Sequence, residues 1–248
     1  VTGQLVVLGG CGAWPEAGRA CSGFFVRYNG VRVVLDLGYA TLPRLLALAP
    51  DAGLDAVVIT HEHPDHCVDL HGLYRVRHFG ERRPPLPLFA PPGVLTRLGA
   101  LESDGGADAL RKIFAETAMP GAEPAAIGPL RLSSVQLPHW VPNSGVRLAT
   151  PGGVLAYTGD SAPTPAVAEV GRDADLFIVE ATLQGDATSP YLMNARQAGA
   201  LAATAGARRL LLTHFWPGSD RAVSVAEAAE HFSGEILVAD EGLEITLS

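Results

Sequence analysis

The stretch Thr60-His61-Glu62-His63-Pro64-Asp65-His66-Cys67-Val68-Asp69-Leu70 sets three imidazoles and a carboxylate within six positions, directly after the apolar run Ala56-Val57-Val58-Ile59. That run reads as a strand over Ala56 to Thr60, and loops at strand ends present functional groups from a rigid scaffold. Side chains at i and i+2 of extended backbone project to one side, which pairs His61 with His63, while Pro64 lets Asp65 and His66 turn toward a neighbouring position. One short segment thereby serves two metal ions. The competing reading is a polar loop that opens a helix with Asp65 as its cap. Three histidines and an aspartate this close together favour the metal.

Working outward, apolar runs bounded by Gly, Pro or Asn mark strands at Leu5 to Leu8, Gly23 to Tyr28 and Val31 to Leu37, the last two joined by an Asn29-Gly30 hairpin. A second set follows at Leu130 to Leu137, Val146 to Ala149, Val154 to Thr158, Leu176 to Val179, Leu210 to Thr213, Ile236 to Ala239 and Leu243 to Leu247. Helical spacing predicts helices at Leu42 to Ala49, Val68 to Phe79, Val94 to Leu101, Ala107 to Ala118, Pro165 to Val170, Ala195 to Ala205 and Val223 to Phe232, the last capped by Ser219 or Asp220. Glu81 to Gly93, with four prolines before its final Pro92, reads as a stiff connecting loop. Strands and helices alternate through both halves, which fits an α/β protein of four layers, αββα: two mixed sheets face to face with helices outside. With 248 residues, 48% of them hydrophobic, one domain over residues 1–248 holds the core.

Composition narrows the function classes. No apolar run approaches the roughly 20 residues of a membrane span. The opening Val1-Thr2-Gly3-Gln4-Leu5 shows no leader pattern, and three cysteines without CxxC spacing, Cys11, Cys21 and Cys67, suit a reducing compartment. A cytoplasmic protein is expected. A net charge of −8 disfavours a long nucleic-acid partner and leaves a small-molecule substrate.

Further strand ends carry matching groups: His139 in LPHW, Asp160 in YTGDS and His214 in LLTHFWPG. Alone, each has a plain alternative, a hydrogen-bonded surface histidine or an aspartate capping a helix after Ser161. Together with the first motif they complete two sets of nitrogen and oxygen ligands.

These residues resemble the metallo-β-lactamase superfamily of dinuclear metal hydrolases, with HxHxDH present as His61, His63, Asp65 and His66, then His139, Asp160 and His214 in order. The resemblance implies one ion on His61, His63 and His139, a second on Asp65, His66 and His214, and Asp160 bridging both. It also implies the αββα sandwich. Imidazole and carboxylate ligands without a thiolate suit zinc first, manganese second, and iron as well. A zinc β-lactamase usually has Cys where Asp160 stands, and flavodiiron reductases have Glu at the position of His63, so neither antibiotic hydrolysis nor a redox reaction is expected.

VVLGGCGAWPEAGRACSGFFV, LDLG with Asp36, and HWVPNSGVRL with Ser144 and Arg147 resemble the ribonuclease Z and phosphodiesterase branch. Ser144 and Arg147 are candidate phosphate ligands, the alternative being a turn and an exposed arginine. Asp36 is read as a residue that orients a ligand histidine from behind. Trp140, Phe215 and Trp216 each adjoin a ligand and are candidates for a base-stacking wall, or simply core. Between His139 and Asp160 there is no room for the branch's long arm, and Val179 stands where its HEAT motif has His. That points to a small or cyclic nucleotide attacked by a metal-activated hydroxide, with Asp65 orienting it and Asp160 bridging; the leaving-group acid stays unassigned. A lactonase or thioesterase of the same superfamily, or a non-catalytic metal-binding scaffold, are the alternatives. The branch also implies a homodimer.

Overall fold

A computed structural model describes residues 3–103 and 105–247. Val1 and Thr2, with which the segment read as leaderless begins, lie outside the described residues. Strand β1 (Gly3–Gly9) runs antiparallel to β2 (Gly23–Tyr28), and β2 to β3 (Val31–Leu37). Their hairpin turns on Asn29 and Gly30, whose φ of 51° and 82° are the left-handed values that a two-residue turn between twisted strands demands. From β3 the chain continues through α1 (Leu42–Leu48), β4 (Ala56–Val58), α2 (Pro64–Phe79), β5 (Leu86–Ala90), α3 (Val94–Gly99), α4 (Gly106–Arg111) and β6 (Phe114–Ala118). Strands β3 to β6 are parallel.

The second half opens on an antiparallel meander of β7 (Ala125–Ile127), β8 (Leu130–Leu137), β9 (Asn143–Ala149) and β10 (Val154–Tyr157). It then alternates α5 (Pro165–Gly171), β11 (Leu176–Glu180), α6 (Ala195–Ala205), β12 (Arg209–Thr213), α7 (Arg221–Ala229) and β13 (Glu235–Val238), with β10 to β13 parallel. The last strand, β14 (Glu244–Leu247), returns to the first sheet beside β1. The result is two mixed seven-stranded sheets, ordered β14-β1-β2-β3-β4-β5-β6 and β13-β12-β11-β10-β9-β8-β7.

The layering follows from period-two alternation. In β1, Leu5 and Val7 enter the core between the sheets, with Phe24, Leu35, Leu148, Ile178 and Leu211, while Val6 and Leu8 enter the core under the helices of the first half. Phe177, Val179, Leu210 and Leu212 do the same beneath the helices of the second half. This is the expected four-layer αββα sandwich. Helix α6 starts on a capping box between Asn194 and Gln197 and ends on Gly206 at φ 69°; α7 starts on Asp220, whose side chain accepts from Ala222 N.

Two expectations are corrected. The predicted helix over Ala107 to Ala118 stops at Arg111, and Phe114–Ala118 is instead the edge strand β6, its alanines and glutamate overridden by parallel pairing with β5. The connecting loop of Glu81 to Gly93 contains the buried strand β5. Pro87 disguised it. Leu86 N–H donates toward the β6 side, to Ile113 O, so the donor that Pro87 lacks falls on the other side, where the β4 ladder only begins at Val57 opposite Leu88. The short β7 also went unread. Among the described residues no helix is long and apolar enough to cross a membrane.

Candidate metal centre

The carboxyl ends of parallel strands in the two sheets meet at one edge of the sandwich, the usual place for a site in such sheets. From the first sheet, the segment after β4 supplies His61 and His63, and the first turn of α2 supplies Asp65 and His66. From the second, His139 follows β8, Asp160 follows β10 and His214 follows β12. Proline at the first helical position of α2 needs no hydrogen bond there, so the helix starts at once and turns Asp65 and His66 inward. Asp65 is not a cap, and the cap of α5 is Thr164 rather than Asp160.

The seven residues form two clusters that share one member: His61, His63, His139 and Asp160; and Asp65, His66, Asp160 and His214. Within each cluster the candidate ligand atoms lie within 4.8 Å of one another. In the first, His63 Nδ1 is 3.0 Å from His61 Nε2 and 3.1 Å from His139 Nε2. In the second, His214 Nε2 is 3.2 Å from both Asp65 Oδ2 and Asp160 Oδ2, and His66 Nε2 is 3.3 Å from Asp160 Oδ1. His66 Nε2 and Asp160 Oδ1 are buried without a hydrogen-bond partner. Buried polar atoms are rarely left so, and a cation is the partner this donor set fits.

Charge states differ between the two clusters. Burial first, then the neighbouring imidazoles, hold His61 well below the ordinary histidine range, which keeps it in the neutral ligand form. Burial also lowers His63 and His139. For Asp65, burial pushes upward, but His66 and His214 outweigh it and hold the carboxyl well below the usual range. Burial likewise opposes charge on His66 and His214, yet Asp160 and Asp65 raise both.

Each buried imidazole is oriented from behind. Asp36, at the end of β3, lies 2.7 Å from His66 Nδ1, and its two oxygens also accept from Thr60 N (2.7 Å), Thr60 Oγ1 (2.9 Å) and the Tyr157 hydroxyl (2.8 Å). Thr60 Oγ1 is in turn 3.0 Å from His61 Nδ1. Tyr191 O stands 3.0 Å from His139 Nδ1. Thr182 Oγ1 is 2.7 Å from His214 Nδ1 and donates to the buried Glu180, which also accepts from Ser161 N at 2.7 Å. Burial, then the charge of Asp160, pushes the Glu180 carboxyl up to about 8. Ala13 N donates to Asp65 Oδ2 at 2.7 Å.

Local backbone shape makes room for this. Gly12 lies so close to His214 that a Cβ there would fall 2.7 Å from the ring, and Gly159, at φ 57°, turns the chain so that Asp160 points inward. Asn143 Nδ2 holds that turn by donating to Thr158 O and Asp160 O. Ala13, Asp36 and His214 all have φ near +56° to +59°, strain of the kind that gathers at functional sites.

Above the clusters lies a cleft of about 640 Å³. His63, Asp65, Asp160 and His214 reach its floor, and Trp140, Leu183, Leu192 and Trp216 stand among its walls. Trp140 packs on Tyr191, ring centroids 4.7 Å apart, and Trp216 meets Trp14 edge-on at 5.0 Å.

Three expected substrate residues are placed elsewhere. Arg147 faces α5, where its guanidinium donates to Val170 O at 2.6 Å and Arg172 O at 2.9 Å, so it satisfies a helix end and reaches no phosphate in the cleft. Ser144 is fully buried in β9 and touches the site only through its backbone N–H to Thr60 O. Phe215 is buried in the opposite direction from His214, beneath the Arg221 guanidinium. Val179 points into the core under α6, so no acid comes from its position. Sequence reasoning missed Thr60, Tyr157, Thr182, Glu180, Tyr191 and Ala13. The one available signal was Glu180-Ala181-Thr182 at the end of β11, read only for its missing histidine.

Residues 31–215 match the family model described as Beta-lactamase superfamily domain. An uncharacterized protein of Mycobacterium tuberculosis is 32% identical over 255 residues, covering 99% of this chain and 93% of that one. A ribonuclease Z of Halobacterium salinarum is 27% identical over 300 residues, covering 98% and 97%. The crystal structure of the metallo-beta-lactamase fold protein YhfI from Bacillus subtilis matches with a TM-score of 0.90 and 27% identity over 100% of both chains.

Proposed function

This chain belongs to the beta-lactamase superfamily as a metallo-hydrolase, and from that membership we propose that it is a phosphodiesterase acting on a small or cyclic nucleotide with two divalent cations, zinc first. The observation that carries the reading is the pair of His/Asp clusters joined through Asp160 at the floor of a nucleotide-sized cleft. One ion would sit on His61, His63, His139 and Asp160, the other on Asp65, His66, His214 and Asp160. Bound there, two such cations supply a hydroxide near neutral pH and neutralise charge that develops on the phosphoryl oxygens.

The chain's own residues do the rest. Asp65, kept ionised and held by Ala13 N–H, accepts a hydrogen bond from the attacking water and orients it. With Nε2 of His214 serving as a ligand atom, its Nδ1 carries the proton and donates to Thr182 Oγ1, which donates to Glu180. Thr60 and Asp36 do the same for His61. These relays fix tautomers before substrate arrives. Trp140 and Trp216 offer aromatic surface for a base.

A second reading, a lactonase or thioesterase, is favoured by the lack of any lysine or arginine among the described residues lining the cleft. Hydrolysis of bis(p-nitrophenyl) phosphate by zinc- or manganese-loaded protein separates the two. Turnover that vanishes in Asp160→Ala, with secondary structure retained, supports the phosphodiesterase; inactivity of a metal-loaded protein that cleaves a thioester or lactone replaces it.

A further inference from the structure

The cleft is unusual for a nucleotide site in what surrounds it. No lysine or arginine is among the described residues that line it; Arg147 is turned away to the carbonyls of Val170 and Arg172, and Arg97 pairs with Glu62 at 2.6 Å. The polar groups left to the walls are uncharged, among them Thr188, Ser189 and Ser219. Two carboxylates, Asp65 and Asp160, reach the floor, and the whole chain carries −8. Set against those two carboxylates, a pair of divalent cations leaves two positive charges, which a hydroxide and one phosphodiester anion neutralise. A second phosphate would meet no counter-charge.

The apolar side is equally specific. Of the chain's three tryptophans, Trp140 and Trp216 line this cleft and Trp14 packs edge-on behind Trp216. Trp140 is beside the first cluster, its ring 5.0 Å from His139; Trp216 is two residues past His214 of the second. Both are about half exposed, 56% and 43%, although each is packed on one side by another aromatic ring. Large aromatics held rigid yet open to solvent beside a catalytic floor form a stacking surface.

Resting on the phosphodiesterase reading, we propose that the cleft selects a phosphodiester with a single negative charge and a planar aromatic group, received on the Trp140 and Trp216 rim, and discriminates against substrates that carry a further terminal phosphate. Linear dinucleotides with phosphorylated ends, nucleoside polyphosphates and RNA fall outside this class; cyclic mononucleotides and nucleoside aryl diesters fall inside it.

The test compares thymidine 5′-(p-nitrophenyl phosphate) with the same compound bearing a 3′-phosphate. Leaving group and base are then identical, and only the terminal charge differs. With zinc- or manganese-loaded protein the first should show a kcat/KM at least about tenfold higher, since an unpaired like charge in a confined site is strongly disfavoured. Thr188→Arg, at an exposed position on the wall, should narrow that ratio. Trp216→Leu should raise KM about tenfold with kcat kept, the size expected for a lost stacking partner. Binding is read separately by tryptophan fluorescence in zinc-loaded protein with non-hydrolysable phosphonate analogues of the two esters: the singly charged one should quench it, and quenching should fall in Trp216→Leu. Equal kcat/KM for the two esters, or fluorescence indifferent to both, overturns the inference alone. Failure of both esters in a protein that cleaves a thioester overturns the phosphodiester reading and the inference with it.

Discussion

The Tyr157 hydroxyl donates to Asp36 Oδ2 at 2.8 Å, a bond between β10 of one sheet and β3 of the other across 121 residues of chain. Because the same carboxylate faces His66 directly and His61 through Thr60, it stands behind one histidine of each cluster. Asp36→Asn should therefore weaken both cation sites together, by about 10- to 100-fold each, the usual cost of losing such a partner. Chelator competition with metal counting reads this directly. Loss of a single ion per chain would show that Asp36 serves one cluster only.

Tyr157→Phe removes one of four donors to that carboxylate and leaves the ring packed on Phe24, 5.2 Å away. A stability loss of about 1 kcal/mol in urea is expected, with both ions retained. A much larger loss would mean that Asp36 depends on this donor for its position.

Gly12→Ala puts a methyl group 2.7 Å from the His214 ring, nearer than any real contact, and the surrounding backbone is pinned by Gly12 N–H to Phe215 O. The second ion should be lost and activity should fall at least about tenfold, while circular dichroism stays native. An active Gly12→Ala protein with two ions bound would show that His214 can move aside.

Glu180 gives a pH signature in metal-free protein. Its folded carboxyl is pushed up to about 8, first by burial and then by Asp160, whereas the unfolded chain titrates at about 4.3. Between these values the native state holds a proton that the unfolded state releases, so this residue's contribution to stability is largest below the unfolded value and falls as pH rises toward 8. Glu180→Gln should flatten the decline of Tm between pH 5 and 8 relative to the parent protein. Parallel slopes in the two proteins would remove Glu180 as the source.

The seven ligand candidates were legible because four sit in one heptapeptide and the others each close a recognisable strand. Asp36 was legible through LDLG. Tyr157, Thr182 and Ala13 were not, since their partners lie 121, 32 and 52 residues away and nothing local marks them. Arg147 and Phe215 misled for the opposite reason. Each neighbours a site residue or motif in sequence, yet the backbone carries it away from the cleft: Arg147 turns to the carbonyls behind α5, and at His214, whose φ is 56°, the chain turns so that Phe215 packs inward while His214 and Trp216 reach the cleft. In the fold, β5 hid behind prolines and β6 behind helix-forming residues, and only pairing in the sheet reveals either.

Because each cluster draws ligands from both sheets, cation uptake and sheet docking are one equilibrium seen from two sides. Cations held there would act as rivets through a seam, and their affinity would become a strain gauge for the whole sandwich. A cavity cut at Phe24, in the core between the sheets and against the ring of Tyr157, should be felt as weaker metal retention even though Phe24 touches no ligand.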